Sequence, residues 1–316
     1  MKKLRFVCAQ PATLYYAWQV EVMINNFIEM GVNPNNMDVV CWKQNNVIPE
    51  EWINLTNRYP ARFFFYDDTR ITRHYISSIR PNLLKQHWAQ YPELENEIIF
   101  YHDCDIIFSK PINEWITDEM LSDEVWYGSD TRWYIAHSYI KSKGQDVIDK
   151  MCELMNLPEK LIEDNELNCI GAQYLMKNVN YDYWNRVESD CEILLKDVTE
   201  LNNQKKALDP THHELQIWCS DMWAVLWGAW RLGNITECHK KFEFSWGTSS
   251  EEDFNKMSIM HNAGVVSAND GLFYKANYMN KLPYGEELEI KENTASRKYW
   301  DIIVKIGQKS CLIKTI

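Results

Sequence analysis

Short apolar runs rich in β-branched and aromatic residues alternate with segments of helical periodicity along the first third of the chain. This pattern predicts strands at 4–9, 37–42 and 61–68. The apolar residues of 17–31 recur at the spacing of an amphipathic helix, and Gly31 is placed like its C-terminal cap. Strands that alternate with helices predict an α/β fold whose sheet is mostly parallel and flanked by helices, with a Rossmann-like N-terminal half.

The second half of the chain contains longer helical segments. Strands are predicted at 124–130 and 171–179, and helices at 144–156, 181–206 and 215–230. We find no internal repeat, no low-complexity tract and no linker rich in Gly, Ser or Pro between the two halves. The sequence therefore predicts one continuous domain built on a single mixed sheet.

One apolar run is interrupted by titratable residues. The sequence "IIFYHDCDIIF", residues 98–108, has strand character on both sides of His102, Asp103 and Asp105. A continuous apolar strand of this kind is typical of a sheet that is buried on both faces. Because side chains alternate along a strand, Asp103 and Asp105 are expected on one side, roughly 6.6 Å apart along the chain.

Two carboxylates on one side of a strand repel each other unless a cation lies between them. Oxygen ligands of this type suit Mg²⁺ or Mn²⁺, which often complete their coordination with substrate phosphates. In α/β sheets, ligands bind at the carboxyl ends of the strands, where Asp103 and Asp105 are predicted to lie. The pair therefore indicates a metal that bridges to a phosphorylated substrate. The alternative is a solvated turn at the end of a strand.

The charge of the chain limits its partners. Its 316 residues include 33 basic and 45 acidic ones, which gives a formal net charge of −12. This balance disfavours nonspecific binding to nucleic acid or to an anionic membrane. Any substrate phosphate has to be met by a metal and a few chosen cations.

Cysteine usage and the absence of targeting signals bear on the compartment. The nine cysteines include no C-x-x-C pair, which favours reduced thiols and a cytoplasmic location. The start "MKKLRFVCAQP" has too short an apolar segment for a signal peptide, so the mature chain is expected to begin near Met1. No apolar stretch approaches the roughly 20 residues of a membrane span.

Three segments of the sequence together resemble the motifs of a known enzyme family. "FYHDCDIIF", "RPNLLKQHW" (80–88) in a predicted helix over 80–92, and "IMHNAGVV" (259–266) are together similar to motifs of nucleotide-sugar-dependent glycosyltransferases of the GT-A fold. "YYAWQ" (15–19) and "NCIGAQYLMKN" (168–178) resemble peptidyl-serine galactosyltransferases, hydroxyproline arabinosyltransferases and related bacterial and viral enzymes. The resemblance covers roughly residues 4–275.

The resemblance implies a domain organisation. A glycosyltransferase domain is expected over 1–285, with a nucleotide-sugar-binding half at 1–108 and an acceptor-binding half at 109–285. A C-terminal extension is expected over 286–316.

The resemblance also implies a set of binding residues. Asp103, Asp105 and His261 are expected to bind Mn²⁺ or Mg²⁺, although His261 can also be read as a core or capping histidine. The residues expected to contact the nucleotide sugar are Gln10, Arg80, Lys85, Asp103, Gly264 and Lys275. Related enzymes often carry a phosphate-binding lysine three residues after the glycine of the His-x-x-Gly element. Here that position is Ser267, and Lys275 is the expected substitute.

Two further residues are candidates for the reaction itself. Asp221 borders the apolar face of the helix predicted at 215–230, so it is either paired structurally or lines a pocket. Gln173 can hydrogen-bond a sugar or simply alternate outward from its strand. We predict these two as the catalytic residues.

The predicted function is the metal-dependent transfer of a sugar, hexosyl or pentosyl, from a nucleotide donor to an acceptor hydroxyl. The donor is predicted to be a UDP-sugar, the acceptor a glycan, protein or modified nucleic acid, and the anomeric configuration is predicted to be retained. One alternative is a nucleotidyltransferase or phosphohydrolase that uses the same acidic site. Another is a carbohydrate- or protein-binding module without turnover.

Overall fold

The computed structural model describes residues 2–313, and side chains up to residue 309. The predicted α/β fold class is confirmed, since a mixed, mostly parallel central sheet of seven strands is flanked by helices. The strands of the described residues are β1 (Leu4–Pro11), β2 (Met37–Trp42), β3 (Arg62–Tyr66), β4 (Ile98–Tyr101), β5 (Ile106–Phe108), β6 (Trp126–Asp130), β7 (Ile170–Lys177), β8 (Thr236–Cys238), β9 (Phe244–Trp246) and β10 (Ile259–His261).

The helices of the same residues range from one turn to more than seven turns. They are α1 (Leu14–Glu29), α2 (Glu50–Arg58), α3 (Ile79–Gln90), α4 (Asp118–Ser122), α5 (Arg132–Ile135), α6 (His137–Lys141), α7 (Gln145–Met155), α8 (Glu159–Asp164), α9 (Tyr181–Leu208), α10 (Ser220–Arg231), α11 (Glu251–Lys256) and α12 (Ala295–Ile313). None of these helices combines the length and the apolar character that a membrane crossing requires.

The chain forms two compact units. Unit A comprises Tyr66–Tyr101 and Ser122–His239, together with the N-terminal segment that ends at Leu4. Unit B comprises Arg5–Phe65 and His102–Leu121, together with the chain from Lys240 onward. The predicted division at residue 108 and the predicted extension from residue 286 remain predictions.

Unit A contains four strands in the order β4, β7, β6, β8. Strand β7 is antiparallel to both β4 and β6, and β6 is parallel to β8. The register between β6 and β7 shifts between Gly128 and Ser129, which is a β-bulge. Ala172, on the bulged strand, has a φ of 63°, a left-handed conformation that is strained for a residue with a Cβ atom.

Helices α3, α9 and α10 pack together in unit A. Their contacts are made by large aromatic side chains, such as the fully buried Trp88 and Trp184, whose ring centroids lie 5.7 Å apart. The indole of Trp88 donates a hydrogen bond to the Val179 carbonyl at 2.6 Å, so this buried polar group is satisfied.

Unit B contains the strands β3, β2 and β1, in that order, and β1 is parallel to β2. Strand β1 pairs with β2 from Phe6, opposite Met37, to Pro11, opposite Trp42. The Arg5 guanidinium donates to the Asp38 carboxylate at 2.9 Å, and both side chains are buried. This ion pair explains how two charged residues occur in otherwise apolar strands.

A second sheet of unit B contains β5, β10 and β9 in that order. Strand β10 is antiparallel to β5 and parallel to β9. Helix α12 packs against α1 in the same unit, and Lys305 pairs with Glu29 at 2.8 Å. The predicted C-terminal extension thus contains a helix of unit B over Ala295–Ile313, while residues 314–316 lie outside the described residues.

The prediction of one continuous strand over 98–108 is wrong. Strands β4 and β5 belong to different sheets, and residues 102–105 form the turn between them. Hydrogen bonds to other segments of the chain fix the backbone of this turn. The His102 amide donates to the Val7 carbonyl at 3.0 Å, and the Asn262 amide donates to the Asp105 carbonyl at 2.9 Å. The strand periodicity therefore does not apply to Asp103 and Asp105.

Candidate metal and nucleotide site

The candidate metal cluster is built by a turn and a short strand of unit B. Asp103 and Asp105 lie in the turn after β4, and His261 is the last residue of β10. The antiparallel pairing of β10 with β5 sets His261 opposite Ile106, the residue after Asp105. The backbone register thus brings an imidazole from late in the chain beside the two carboxylates.

The distances in the cluster are short. The Nε2 atom of His261 lies 3.2 Å from Oδ1 of Asp105 and 3.7 Å from Oδ2 of Asp103. One ligand atom from each of the three residues lies within 4.8 Å of the others. The ammonium of Lys275 donates a hydrogen bond to Oδ2 of Asp105. Asp105 thus has an imidazole at one oxygen and a cation at the other.

The electrostatics of the cluster follow from this packing. Burial raises the pKa of the Asp105 carboxyl, but the neighbouring Lys275 and His261 lower it by more, so the pKa lies well below its usual range. Burial lowers the pKa of Lys275, and the Asp105 carboxylate raises it by more, to well above the usual value. The pKa of His261 is likewise raised, since the attraction of Asp105 exceeds the cost of burial. The site is thus organised to keep a carboxylate beside a positive charge.

The donor set fits a divalent cation. Two carboxylates and one imidazole are ligands that Mn²⁺ accepts, and Mg²⁺ is compatible with the oxygen donors. A buried carboxylate that already holds an ammonium group also shows that this position favours positive charge. His102 does not belong to this group of converging ligand atoms: it is buried, and its Nδ1 lies 2.9 Å from the Asp103 carbonyl.

Two other predicted nucleotide-binding residues lie in unit B. Gln10 is buried at the end of β1, and its amide donates to the Val40 carbonyl at 3.2 Å and to Sγ of Cys41 at 3.3 Å. Gly264 follows β10 with a φ of 85°, a conformation that favours glycine. The turn that leaves the metal cluster therefore depends on a residue without a side chain.

Arg80 and Asp221, predicted separately for binding and catalysis, contact each other in unit A. The Arg80 guanidinium donates to Oδ2 of Asp221 at 2.6 Å, and the Tyr75 hydroxyl donates to Oδ1 at 2.6 Å. Lys85, also in unit A, pairs with Glu188 at 2.7 Å. Both predicted phosphate-binding cations of this unit therefore have a carboxylate partner.

Gln173 lies directly after the strained Ala172 on β7 and is buried. A bulge re-aims the side chains of the bulged strand, so the simple alternation assumed from the sequence does not hold at Gln173. Strained backbone of this kind is often found at functional sites. This local geometry is a structural reason to keep Gln173 as a candidate.

Comparison with known proteins relates the chain to solved structures. No family model matches the chain, and no curated protein matches it. The bifunctional glycosyltransferase WbbM is similar at a TM-score of 0.50 and 11% identity, over 96% of this chain and 50% of that one. This chain therefore spans half the length of WbbM. The structural similarity to WbbM identifies the fold of this chain. The chain has the GT-A fold.

Two further glycosyltransferase structures are similar to the chain. The galactosyltransferase LgtC, solved with donor and acceptor sugar analogues, has a TM-score of 0.41 and 10% identity, over 95% of each chain. The glycosyltransferase GlyE of Streptococcus pneumoniae has a TM-score of 0.41 and 8% identity, over 100% of this chain and 64% of that one. The likeness to WbbM confirms the predicted resemblance to GT-A glycosyltransferases at the level of the fold.

Within the GT-A fold, two aromatic residues next to the metal cluster were not predicted from the sequence. Phe244 and Trp246 lie on β9 and contact the imidazole of His261. Only the parallel register of β9 with β10, which pairs Trp246 with His261, brings them there. The segment "FSW" has no motif that signals this role, and it is one of many places where the 14 tryptophans occur.

Proposed function

We propose that this protein is a metal-dependent glycosyltransferase that moves a sugar from a nucleotide donor, a UDP-sugar, to an acceptor hydroxyl. The observation that carries the proposal is the cluster of Asp103, Asp105 and His261, with a cation already paired to Asp105, in a chain of GT-A fold. Mn²⁺ is the proposed ion, and Mg²⁺ is the alternative.

The residues in and around the cluster have different proposed roles in the reaction. Breaking the bond between sugar and diphosphate places negative charge on the leaving group, and a bound divalent cation would offset that charge. Asp103, Asp105 and His261 would hold the cation. Lys275 reaches the same position from the other side of Asp105, so its ammonium is suited to a phosphate oxygen. Gln10 and Gly264, also in unit B, are proposed to contact the nucleotide.

In unit A, the surroundings of Asp221 favour a positioning role. Both of its carboxylate oxygens already accept hydrogen bonds, from Tyr75 and Arg80. The ion pair with Arg80 offsets part of the carboxylate charge, and the two contacts fix the direction of the side chain, which suits positioning more than proton abstraction. We therefore assign Asp221 to positioning and Gln173 to contact with the reacting sugar, with Arg80 and Lys85 in supporting contacts to the donor.

This assignment leads to a prediction about stereochemistry and rate. With Asp221 assigned to positioning, the departing phosphate is the proposed base, which deprotonates the acceptor on the same face, so we expect the anomeric configuration to be retained. Gln173→Ala should lower kcat by about 100-fold, with the donor Kd little changed, because Gln173 acts on the transition state. NMR coupling constants of the product report the configuration. A β-linked product from an α-linked donor would show inversion and contradict the assignment.

The direct test of the proposed function is a thermal-shift panel of nucleotide sugars, each with and without Mn²⁺. A ligand that binds only the folded protein raises its stability, by about 2.7 kcal/mol at a concentration 100 times Kd. We expect a shift with one UDP-sugar that requires Mn²⁺. The same donor should then be consumed with release of nucleoside diphosphate when an acceptor is added.

The product of the reaction separates the competing functions. A nucleotidyltransferase would release pyrophosphate from a nucleoside triphosphate, and a phosphohydrolase would release free phosphate. A binding module would bind the sugar nucleotide without hydrolysing it, even over long incubation. Any of these three results would refute the proposed transferase.

A further inference from the structure

The imidazole of His261 is held in an unusual way for a metal ligand. Its Nε2 atom faces the carboxylates of Asp105 and Asp103. Its Nδ1 atom is buried and has no hydrogen-bond partner among the described residues. Histidines that bind metals generally donate from the second ring nitrogen to a carboxylate, a carbonyl or water, and this bond fixes the ring. A different contact must orient the ring of His261.

Aromatic packing supplies that contact. The indole of Trp246 lies nearly parallel to the imidazole, at an interplanar angle of 18° and a centroid distance of 5.8 Å. Phe244 meets the same imidazole at 64° and 5.6 Å. Because Phe244 and Trp246 are two residues apart on β9, their side chains lie on the same face of the strand. The ring of His261 is thus bounded by two aromatic side chains.

Trp246 is itself fixed by the turn that follows β9. Its backbone amide donates to Oγ of Ser249 at 3.0 Å, and its carbonyl accepts from the Ser249 amide at 3.0 Å. The Gly247 amide donates to the Ala263 carbonyl at 3.0 Å, which ties this turn to the segment after His261. The backbone of Trp246 is therefore held while 37% of the residue is exposed.

We propose that Trp246 is a positioning residue that orients the metal ligand His261. This inference rests on the proposed metal-dependent function, and it concerns a residue that touches the ligand rather than the metal. The flat indole limits rotation of the imidazole about its side-chain torsions, so Nε2 is directed at the carboxylates before the ion arrives. An imidazole bound to a cation carries partial positive charge, and the indole face also stabilises that charge.

The test compares the Mn²⁺ affinity of the wild-type protein with that of Trp246 variants, without any sugar donor. Isothermal titration calorimetry and electron paramagnetic resonance of free Mn²⁺ measure the affinity. We expect Trp246→Ala to weaken Mn²⁺ binding by about 10- to 100-fold, the range seen when a contact that orients a metal ligand is removed. Trp246→Phe retains an aromatic ring and should restore most of the affinity. Trp133→Ala is the matched control, because Trp133 is 72% exposed and lies in unit A.

A double-mutant cycle with His261→Ala gives the decisive comparison. If Trp246 acts through the imidazole, then Trp246→Ala should cause no further loss of Mn²⁺ affinity in the His261→Ala background. Trp246→Leu, which retains apolar bulk without a flat ring, provides a second variant should the alanine variant fold poorly. The melting temperature of each metal-free variant confirms that it is folded.

The outcomes separate this inference from the proposed function. Wild-type Mn²⁺ affinity in both Trp246→Ala and Trp246→Leu would overturn the positioning role and leave the metal site standing. An equal loss of affinity with and without His261 would also overturn it, because the indole would then act on the fold in general. Failure of the wild-type chain to bind Mn²⁺ would overturn the metal site and this inference together. A chain that shows the expected coupling but transfers no sugar would support the role of Trp246 and refute the transferase.

Discussion

Asp105→Asn should abolish the Mn²⁺-dependent thermal shift and lower sugar transfer by about 1,000-fold or more. The substitution preserves the shape of the side chain and removes the charge that pairs with Lys275 and faces His261. A metal that offsets the charge of a leaving group contributes several kcal/mol to the transition state, and each 1.4 kcal/mol is about tenfold in rate. Calorimetry with Mn²⁺ and a donor-consumption assay measure the two effects. Excess chelator should reproduce the loss in the wild-type protein, and added Mn²⁺ should reverse it.

The design must separate lost metal binding from lost stability. Asp105→Asn leaves the largely buried Lys275 ammonium without its carboxylate, which is itself destabilising. The double variant Asp105→Asn with Lys275→Met removes both charges, so it should regain stability without regaining Mn²⁺ binding. Asp270→Asn is the control for a carboxylate that is exposed and outside the cluster. Full activity of Asp105→Asn in excess chelator would exclude a catalytic metal at this site.

The sequence predicts the elements of the fold well where one hydrophobic pattern continues without interruption. The strand over Met37–Trp42 begins and ends as predicted, and the helix predicted at 181–206 is observed over Tyr181–Leu208. These segments succeed because one periodicity is maintained over their length. The prediction fails at residues 98–108, where two short apolar runs of similar composition belong to different sheets. Local pattern cannot distinguish one interrupted strand from two strands, because the difference lies in long-range pairing.

The sequence indicates which residue types make up the candidate site, but it does not predict how they are arranged in space. Motifs in the sequence predict Asp103, Asp105 and His261 as ligands, and the structure brings the three together through a turn rather than along one strand. The pairing of Lys275 with Asp105 depends on residues 170 positions apart, so no local pattern encodes it. Spacing in sequence therefore indicated which chemistry to expect, and tertiary contacts determine how it is arranged.

Two structural features, one in each unit, have no sequence signal that we can name. The left-handed Ala172 beside Gln173 arises from a bulge, which usually attracts glycine, asparagine or aspartate at such a conformation. The stacking of Trp246 on His261 arises from the register of β9 with β10. Both depend on pairing between strands that are distant in sequence, or on strain supported by the surrounding fold.

Lys275→Met should change the affinities for metal and for nucleotide in opposite directions. The Lys275 ammonium donates a hydrogen bond to Oδ2 of Asp105, so it would compete with a divalent cation for the same carboxylate. Removing the ammonium should strengthen binding of Mn²⁺ alone by about 10-fold. A charge-assisted hydrogen bond contributes about 1.5 to 3 kcal/mol, and we expect the metal to have to overcome only about the lower part of that free energy. Methionine retains the length of the side chain without its charge.

With saturating Mn²⁺, the same variant should bind nucleoside diphosphate about 10-fold more weakly, because the proposed partner of a phosphate oxygen is gone. The wild-type lysine would thus move from Asp105 to the diphosphate when metal and donor bind together, and each ligand would favour the other. Two titrations measure this: Mn²⁺ into metal-free protein, and nucleoside diphosphate into Mn²⁺-saturated protein. Lys281→Met is the control, because Lys281 is exposed and pairs with Glu286 outside the cluster. If Lys275→Met weakens Mn²⁺ and nucleotide binding alike, then Lys275 holds Asp105 in place for the metal and does not exchange between the two partners.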